Sequence, residues 1–148
     1  MRTIAIDPGA NGALVFHENG KIVIHLSNKV SAVDAIRDAI AGAERPVCYL
    51  EQVGGYIGRP QPGSAMFKFG ANFGFWLGLL AAYDVRHVLV RPQTWQKNLI
   101  GVSSKGPERK RLLRDEARRR FPQVAVTLDN CDALLLLDWA IRQNGGVL

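Results

Sequence analysis

Two short apolar runs in this sequence each end in an acidic residue. Residues 2–6 lead into Asp7, and Val47–Glu51 ends in Glu51. A carboxylate at the end of a buried strand is costly to desolvate unless a partner neutralises it. Neither acid has an adjacent cation of obvious fit. The pattern therefore predicts two buried strands that carry their carboxylates to a shared site, where a divalent metal ion is the economical partner.

The order of the remaining elements predicts an α/β fold in a single domain that spans residues 1–148. Glu-Asn-Gly between the second and third strands is a hairpin signal, so the first three strands are expected to be consecutive and antiparallel. Strand–helix–strand units follow and imply parallel pairing, which gives a mixed sheet flanked by helices. Strands are predicted at 2–6, 13–17, 21–26, 47–51 and 87–90, an extended segment at 124–127, and helices at 31–43, 64–82, 93–99, 107–121 and 129–142.

Two further acids, Asp129 and Asp132, precede the apolar run of the last helix. They are three residues apart and would share a helix face if both are helical. Each acid also has a structural interpretation: Asp7 as the start of an Asp-Pro-Gly turn, Glu51 as an exposed strand end, and Asp129 as a helix N-cap. Asp132 would then favour the helix dipole. Their joint occurrence with this order of elements favours metal ligation.

Magnesium prefers carboxylate oxygens and water over nitrogen or sulfur ligands. Two such ions about 4 Å apart can activate water and stabilise the leaving oxygen of a phosphodiester. The scattered histidines His17, His25 and His87 are not needed for this chemistry. Cys48 and Cys131 have no metal-site spacing and are expected to remain unpaired thiols.

The positive charge of the chain is concentrated in one segment. Residues 105–120 contain eight basic and three acidic residues and so carry +5 of the net +6. Such a patch is typical of a protein that binds a phosphate backbone, although a solvated helix with internal ion pairs is the alternative. The basic residues are Lys105, Arg109, Lys110, Arg111, Arg114, Arg118, Arg119 and Arg120.

No apolar run is expected to approach the roughly 20 residues of a membrane span. The N-terminal MRTIAIDPG lacks the architecture of a signal peptide, because its apolar stretch is short and Asp7 interrupts it. The cytoplasm is therefore the expected compartment, with no membrane partner.

The motifs IAIDPGANGA, YLEQV, SAMFKFGANFGFWLGLLAA, VRPQTWQK and DNCDALLLLDWA together resemble the RuvC-type Holliday-junction resolvases. The resemblance spans nearly the whole chain and is closest to the phage and prophage branch of this family. It implies a ribonuclease-H-like fold and a homodimer that resolves four-way DNA junctions by paired symmetric nicks. It also implies a bacterial or phage-infected host cytoplasm, and two Mg²⁺ ions per site, with Mn²⁺ as a possible substitute.

The same resemblance places Asp7, Glu51, Asp129 and Asp132 at the four acidic positions of the family. Lys105 corresponds to a lysine that the family presents to the scissile phosphate. Residues 64–82 are expected to serve both the core and the dimer interface. The residues expected to contact DNA are Tyr56, Arg59, Lys105, Arg109, Lys110, Arg111, Arg114 and Arg118.

Two other functions are compatible with the same residues. One is a monomeric ribonuclease-H-like nuclease that acts on RNA or an RNA–DNA hybrid. The other is a module that clamps branched nucleic acid without cleaving it. The acids argue against this module, because a pure binder gains nothing from carboxylates that face phosphates.

Overall fold

The computed structural model of the protein describes residues 1–52, 54, 63–97, 99 and 106–146. Within this part of the chain, five strands and five helices follow one another largely in the predicted order. The strands are β1 (Thr3–Ile6), β2 (Ala13–Glu18), β3 (Lys21–Leu26), β4 (Val47–Glu51) and β5 (Arg86–Val90). The helices are α1 (Ala32–Ile40), α2 (Gly63–Ala82), α3 (Pro92–Gln96), α4 (Gly106–Arg120) and α5 (Cys131–Gln143).

The strands form one open mixed sheet in the order β3-β2-β1-β4-β5. The first three strands pair antiparallel, while β1 pairs parallel with β4 and β4 with β5. At the β2–β3 turn, Asn19 and Gly20 both have positive φ (50° and 79°), the backbone that a tight hairpin of this twist requires. The predicted mixed sheet with an antiparallel N-terminal part is confirmed.

Helices cover both faces of the sheet. On one face α4 and α5 pack over Ala5, Val15 and Tyr49. On the other face α1 and α2 pack over Ile4, Ile6 and neighbouring residues. The alternation along β1 follows from the two-residue repeat of a strand, which sends successive side chains to opposite faces. Cys48 and Cys131 are buried free thiols, as expected.

Several boundaries differ from the predictions because local patterns do not determine where a helix stops. Helix α1 ends at Ile40 rather than at residue 43, and α3 ends at Gln96 rather than at residue 99. Helix α5 begins at Cys131, two residues later than predicted. Residues 124–127 form no strand, although Val126 packs into the core.

Helix α2 contradicts the expectation that no apolar run approaches the length of a membrane span. It has 20 residues and a mean hydropathy of 1.2, and it meets the length and composition of a span. The segment contains one charged residue, Lys68, so glycine and alanine keep it apolar between its aromatic residues. Core helices of soluble proteins can meet the same test, and α2 packs on the sheet through buried Trp76 and Leu80.

Candidate metal and nucleic-acid site

Asp7 lies at the start of a tight turn directly after β1. Its backbone N–H donates to the carbonyl of Ala13 (3.0 Å), and its side-chain Oδ1 accepts from the N–H of Gly9 (3.0 Å). A Cβ added to Gly12 would lie 2.2 Å from the Asp7 carbonyl oxygen and 2.9 Å from its carboxyl carbon. Gly12 is therefore required for this close approach. The turn interpretation of Asp7 and its proposed ligand role are compatible, because the turn holds the carboxylate in place.

Glu51 leaves the sheet next to Asp7 because β1 and β4 are parallel neighbours, with Ile6 paired to Leu50. Its Oε2 atom is buried and accepts no hydrogen bond from the described residues. Burial raises the pKa of Glu51 to about 8, and the negative charges of Asp7 and Asp132 contribute to the shift. A buried carboxylate with this surplus of negative charge requires either a proton or a cation.

Trp95 lies beside Glu51 and packs into the core. It is 2% exposed and belongs to the core under α4 and α5. Its indole N–H favours the charged carboxylate and lowers the pKa of Glu51, against the larger effect of burial. The N–H makes no hydrogen bond of normal geometry within the described residues. Trp95 thus combines packing with a polar contact to the acidic site.

Asp132 occupies the first turn of α5 and pairs with a cation from the neighbouring helix. The Lys110 Nζ atom lies 2.5 Å from Asp132 Oδ2. Burial alone would lower the pKa of Lys110, but the attraction of Asp132 outweighs it and the pKa rises. The sequence indicated only a role for Lys110 in binding DNA, so this pairing is a feature that sequence reasoning missed. Lys110 and Asp132 are 22 positions apart, and nothing local signals the contact.

Asp129 lies in the turn before α5 and is not the helix N-cap. That position belongs to Asn130, whose side chain makes no capping hydrogen bond. The Asn130 side chain instead accepts from the N–H of Thr127 (2.8 Å) and donates to the carbonyl of Ala125 (3.0 Å). Asn130 is 3% exposed, so it fixes the turn from inside. Sequence analysis did not identify this role.

Acidic residues from three separate parts of the chain influence one another electrostatically. Burial raises the pKa of Asp7, and the next cause is the negative charge of Asp132, with a smaller contribution from Asp129. We call Asp7, Glu51, Asp129 and Asp132 the acidic site. A metal site formed by all four acids stays a prediction, which these electrostatic effects support.

The donor chemistry of the acidic site fits a hard divalent cation. It offers carboxylate oxygens, a buried Glu51 oxygen without a hydrogen bond, and more negative charge than Lys110 balances. In the described part of the chain, no group of three or more His, Cys, Asp or Glu side chains is arranged closely enough to hold a metal ion. With its present contact to Lys110, Asp132 is engaged by an internal cation.

Helix α4 presents its basic residues on more than one face. At 100° per residue, Lys110, Arg111, Arg114 and Arg118 share one flank, which we call the basic stripe. Arg109 lies on a different flank and donates to Gln96. Ion pairs with Asp115 engage Arg114 and Arg118, at 2.9 and 3.9 Å. The helix therefore has some of the internal pairing of a solvated helix, while the exposed Arg111 and the partly buried Lys110 extend the stripe toward the acidic site.

Arg119 and Arg120 lie beyond the stripe and pair with Glu116 at 2.8 and 2.6 Å. Arg120 also binds the buried Asp138, a structural ion pair between α4 and α5. Three predicted site residues, Tyr56, Arg59 and Lys105, lie outside the described residues. Comparison of the chain with protein-family models and with curated proteins returned no match.

Proposed function

We propose that this protein is a metal-dependent, structure-selective DNA endonuclease that resolves four-way junctions by paired symmetric nicks. The observation that carries the proposal is the electrostatic coupling of three acids: the negative charge of Asp132 raises the pKa of both Asp7 and Glu51, and that of Asp7 also raises the pKa of Glu51. The basic stripe lies beside them, because Lys110 of the stripe pairs with Asp132. Carboxylates that bind metal next to a cationic phosphate track are the arrangement that phosphodiester hydrolysis requires.

In this mechanism, Asp7, Glu51 and Asp132 hold magnesium or manganese, and Asp129 contributes from the margin of the acidic site. Bound divalent ions supply an activated water and stabilise the leaving oxygen in phosphodiester hydrolysis. The turn at Gly9 and Gly12 keeps the Asp7 carboxylate oriented. Where Asp132 held a metal ion, Lys110, which pairs with that carboxylate here, would be free to direct its ammonium group to the scissile phosphate.

A homodimer through residues 64–82 is part of the same proposal. Gly70, Gly74 and Gly78 recur at four-residue spacing, and an added Cβ at any of them meets no atom of the described residues within 4 Å. Packing within the monomer therefore gives no reason for these glycines. Phe67, on the same side of α2, is 77% exposed. We call Phe67, Gly70, Gly74 and Gly78 the glycine face, and close packing of two α2 helices would cover it.

A cleavage assay tests the function with three substrates: a synthetic four-way junction, a linear duplex and an RNA–DNA hybrid, each with magnesium or EDTA. Symmetric, magnesium-dependent nicking of the junction alone is expected. Asp7→Asn should abolish nicking and preserve junction binding, because it removes a ligand charge without changing the shape of the turn. Turnover in excess EDTA would rule out the metal mechanism.

Two other outcomes would replace the proposal. Cleavage of the hybrid by a monomer would identify a ribonuclease-H-like enzyme that acts on RNA. Tight junction binding by the wild-type protein without cleavage, at any magnesium or manganese concentration, would identify a non-catalytic clamp.

A further inference from the structure

A cavity of about 330 Å³ lies on the α1–α2 side of the sheet, beside the turn that carries Asp7. One wall is the turn after β1, another is the end of β3 with the start of α1, and the third is α2. Its lining includes Gly9, His25, Ser27, Asn72, Phe75 and Trp76. Neither the acidic site nor the basic stripe contributes a side chain to its described lining.

Gly9 connects this cavity directly to the acidic site. It lines the cavity, and its backbone N–H donates to Asp7 Oδ1 at 3.0 Å. A Cβ added to Gly9 would lie 3.2 Å from the same oxygen. Only the thickness of one backbone turn therefore separates the cavity from a carboxylate of the acidic site. A group bound in the cavity would be an immediate neighbour of the phosphate that the acidic site attacks.

The lining is suited to a flat, uncharged group. Phe75 and Trp76 provide aromatic surface, and Ser27 and Asn72 provide neutral polar groups. His25 also lines the cavity, and its Nε2 lies 2.7 Å from Asp38 Oδ2. No lysine or arginine is present among its described lining residues. The side chain of Asn72 hydrogen-bonds to no other described residue, which leaves both its donor and its acceptor for a ligand.

The start of α1 also disfavours a phosphate in the cavity. Ser31 is the N-cap, and its Oγ accepts from the N–H of Asp34 at 3.1 Å. The Asp34 carboxylate accepts from the same hydroxyl at 2.6 Å, so a negative charge already occupies this helix end. An incoming anion would meet that charge, whereas a nucleobase would not.

We propose that the cavity holds one unpaired nucleobase, from a nucleotide next to the scissile phosphate. This inference rests on the proposed nuclease function and adds a base-specific contact to it. Phe75, which is 55% exposed, stacks on the base, the buried Trp76 borders it, and Asn72 reads its hydrogen-bonding edge. The cavity is at the small end of the range for ligand pockets, which suits one base rather than a whole nucleotide. A four-way junction supplies such a base where its strands exchange.

Dimer formation leaves this cavity accessible. At 100° per residue, Asn72 and Trp76 lie on the side of α2 opposite Gly74 and Phe67. The glycine face and the cavity therefore use different sides of the same helix. One α2 helix can contact a second copy of the chain and a nucleobase at the same time.

The test is a scan of abasic sites, read as equilibrium junction binding in EDTA, so that cleavage is not needed for the readout. Junctions carry a single abasic site at successive positions within a few nucleotides of the branch point. For wild-type protein, one position should weaken binding by roughly 5- to 150-fold, the contribution of one stacked base. Asn72→Ala should weaken binding to the intact junction and reduce the penalty at that position by the part that its hydrogen bonds to the base contribute.

A matched pair on α1 provides a second probe. Ala32 lines the cavity, whereas Ala41 is exposed at the other end of the same helix. Ala32→Phe fills the cavity and should make binding insensitive to the abasic position, while Ala41→Phe should behave as wild type.

A flat scan with tight binding of the intact junction would overturn the cavity proposal and leave the nuclease function standing. An abasic penalty as large in Asn72→Ala and Ala32→Phe as in wild type would overturn it as well. Failure of wild-type protein to bind or nick any junction would overturn both proposals.

Discussion

The ammonium group of Lys110 lies 2.5 Å from the Asp132 carboxylate and joins the basic helix α4 to the first turn of α5. The Asp132 side chain is 15% exposed and that of Lys110 36%, so the pair is shielded but reachable from solvent. Removing one partner of such a pair leaves the other charge uncompensated. In the metal-free protein, Lys110 thus neutralises part of the acidic site.

Replacing Lys110 with methionine should separate metal binding from cleavage. Without the ammonium group, the acidic site is more negative, so magnesium should bind at lower concentration. Nicking at saturating magnesium should fall by roughly 100-fold, the usual cost of removing one donor where charge develops in the transition state. Isothermal titration with magnesium and a single-turnover nicking assay measure the two effects.

Lys110→Arg keeps the charge and is the control. Weaker magnesium binding in Lys110→Met would contradict the competition between lysine and metal.

Glu51 should make the stability of the metal-free protein depend on pH. Its pKa is about 8 in the folded protein, against an ordinary value of 4.5. The folded state thus binds the proton more tightly, and this contribution to stability is present below the ordinary pKa and is lost as pH rises through about 8. The loss has an upper limit of roughly 1.4 kcal/mol per pH unit across that window.

Urea unfolding in EDTA at a series of pH values measures this dependence. Glu51→Gln should flatten the decline in the free energy of unfolding between about pH 4.5 and 8. Part of the slope should remain, because burial also raises the pKa of Asp7. In magnesium the wild-type trend should reverse, since deprotonated carboxylates bind the metal more tightly. An unchanged slope in Glu51→Gln would show that this carboxyl does not titrate in that range.

Arg111 should contribute to the salt dependence of DNA binding, whereas Arg119 should not. Arg111 is exposed within the basic stripe, while Arg119 lies outside the stripe and pairs with Glu116. Each DNA phosphate that a variant no longer neutralises should reduce the log–log slope of affinity against salt by about 0.9. Junction binding at several salt concentrations compares Arg111→Ala with Arg119→Ala. Equal slopes for Arg111→Ala and wild type would favour the alternative interpretation, in which the basic stripe belongs to a solvated helix that does not bind the DNA backbone.

Gly74 should matter to association rather than to the folded monomer. Within the part of the chain that the structure describes, a Cβ there meets nothing within 4 Å, and alanine is about 1 kcal/mol more favourable than glycine inside a helix. A larger side chain in the glycine face would keep two α2 helices apart. Gly74→Leu should therefore yield a folded monomer by sedimentation equilibrium, with thermal unfolding as the check on folding. Lys68→Ala, elsewhere on the helix, is the control. A stable Gly74→Leu dimer would exclude this interface.

The positions of the strands follow closely from sequence, and the reason is local. Lys21–Leu26 and Val47–Glu51 were predicted with the bounds that the structure has, because turn residues and Pro46 interrupt the apolar pattern at their ends. The meeting of Asp7 and Glu51 was also predictable, since parallel neighbouring strands end at the same edge of a sheet. Helix ends were less accurate, because packing rather than periodicity determines where α1 and α5 stop.

The tertiary structure alone decided what surrounds the carboxylates. The apolar and charged pattern of α4 did not distinguish Lys110, which turns inward to Asp132, from Arg111, which faces solvent. Nor did any sequence pattern place the Trp95 indole beside Glu51. These contacts join residues far apart in the chain, and they depend on the angle and depth at which each helix packs. The sequence by itself determined the elements and the ends at which the acids lie, because both depend on near neighbours. Pairing, burial and the resulting pKa shifts depend on distances across the fold, which only the packed chain defines.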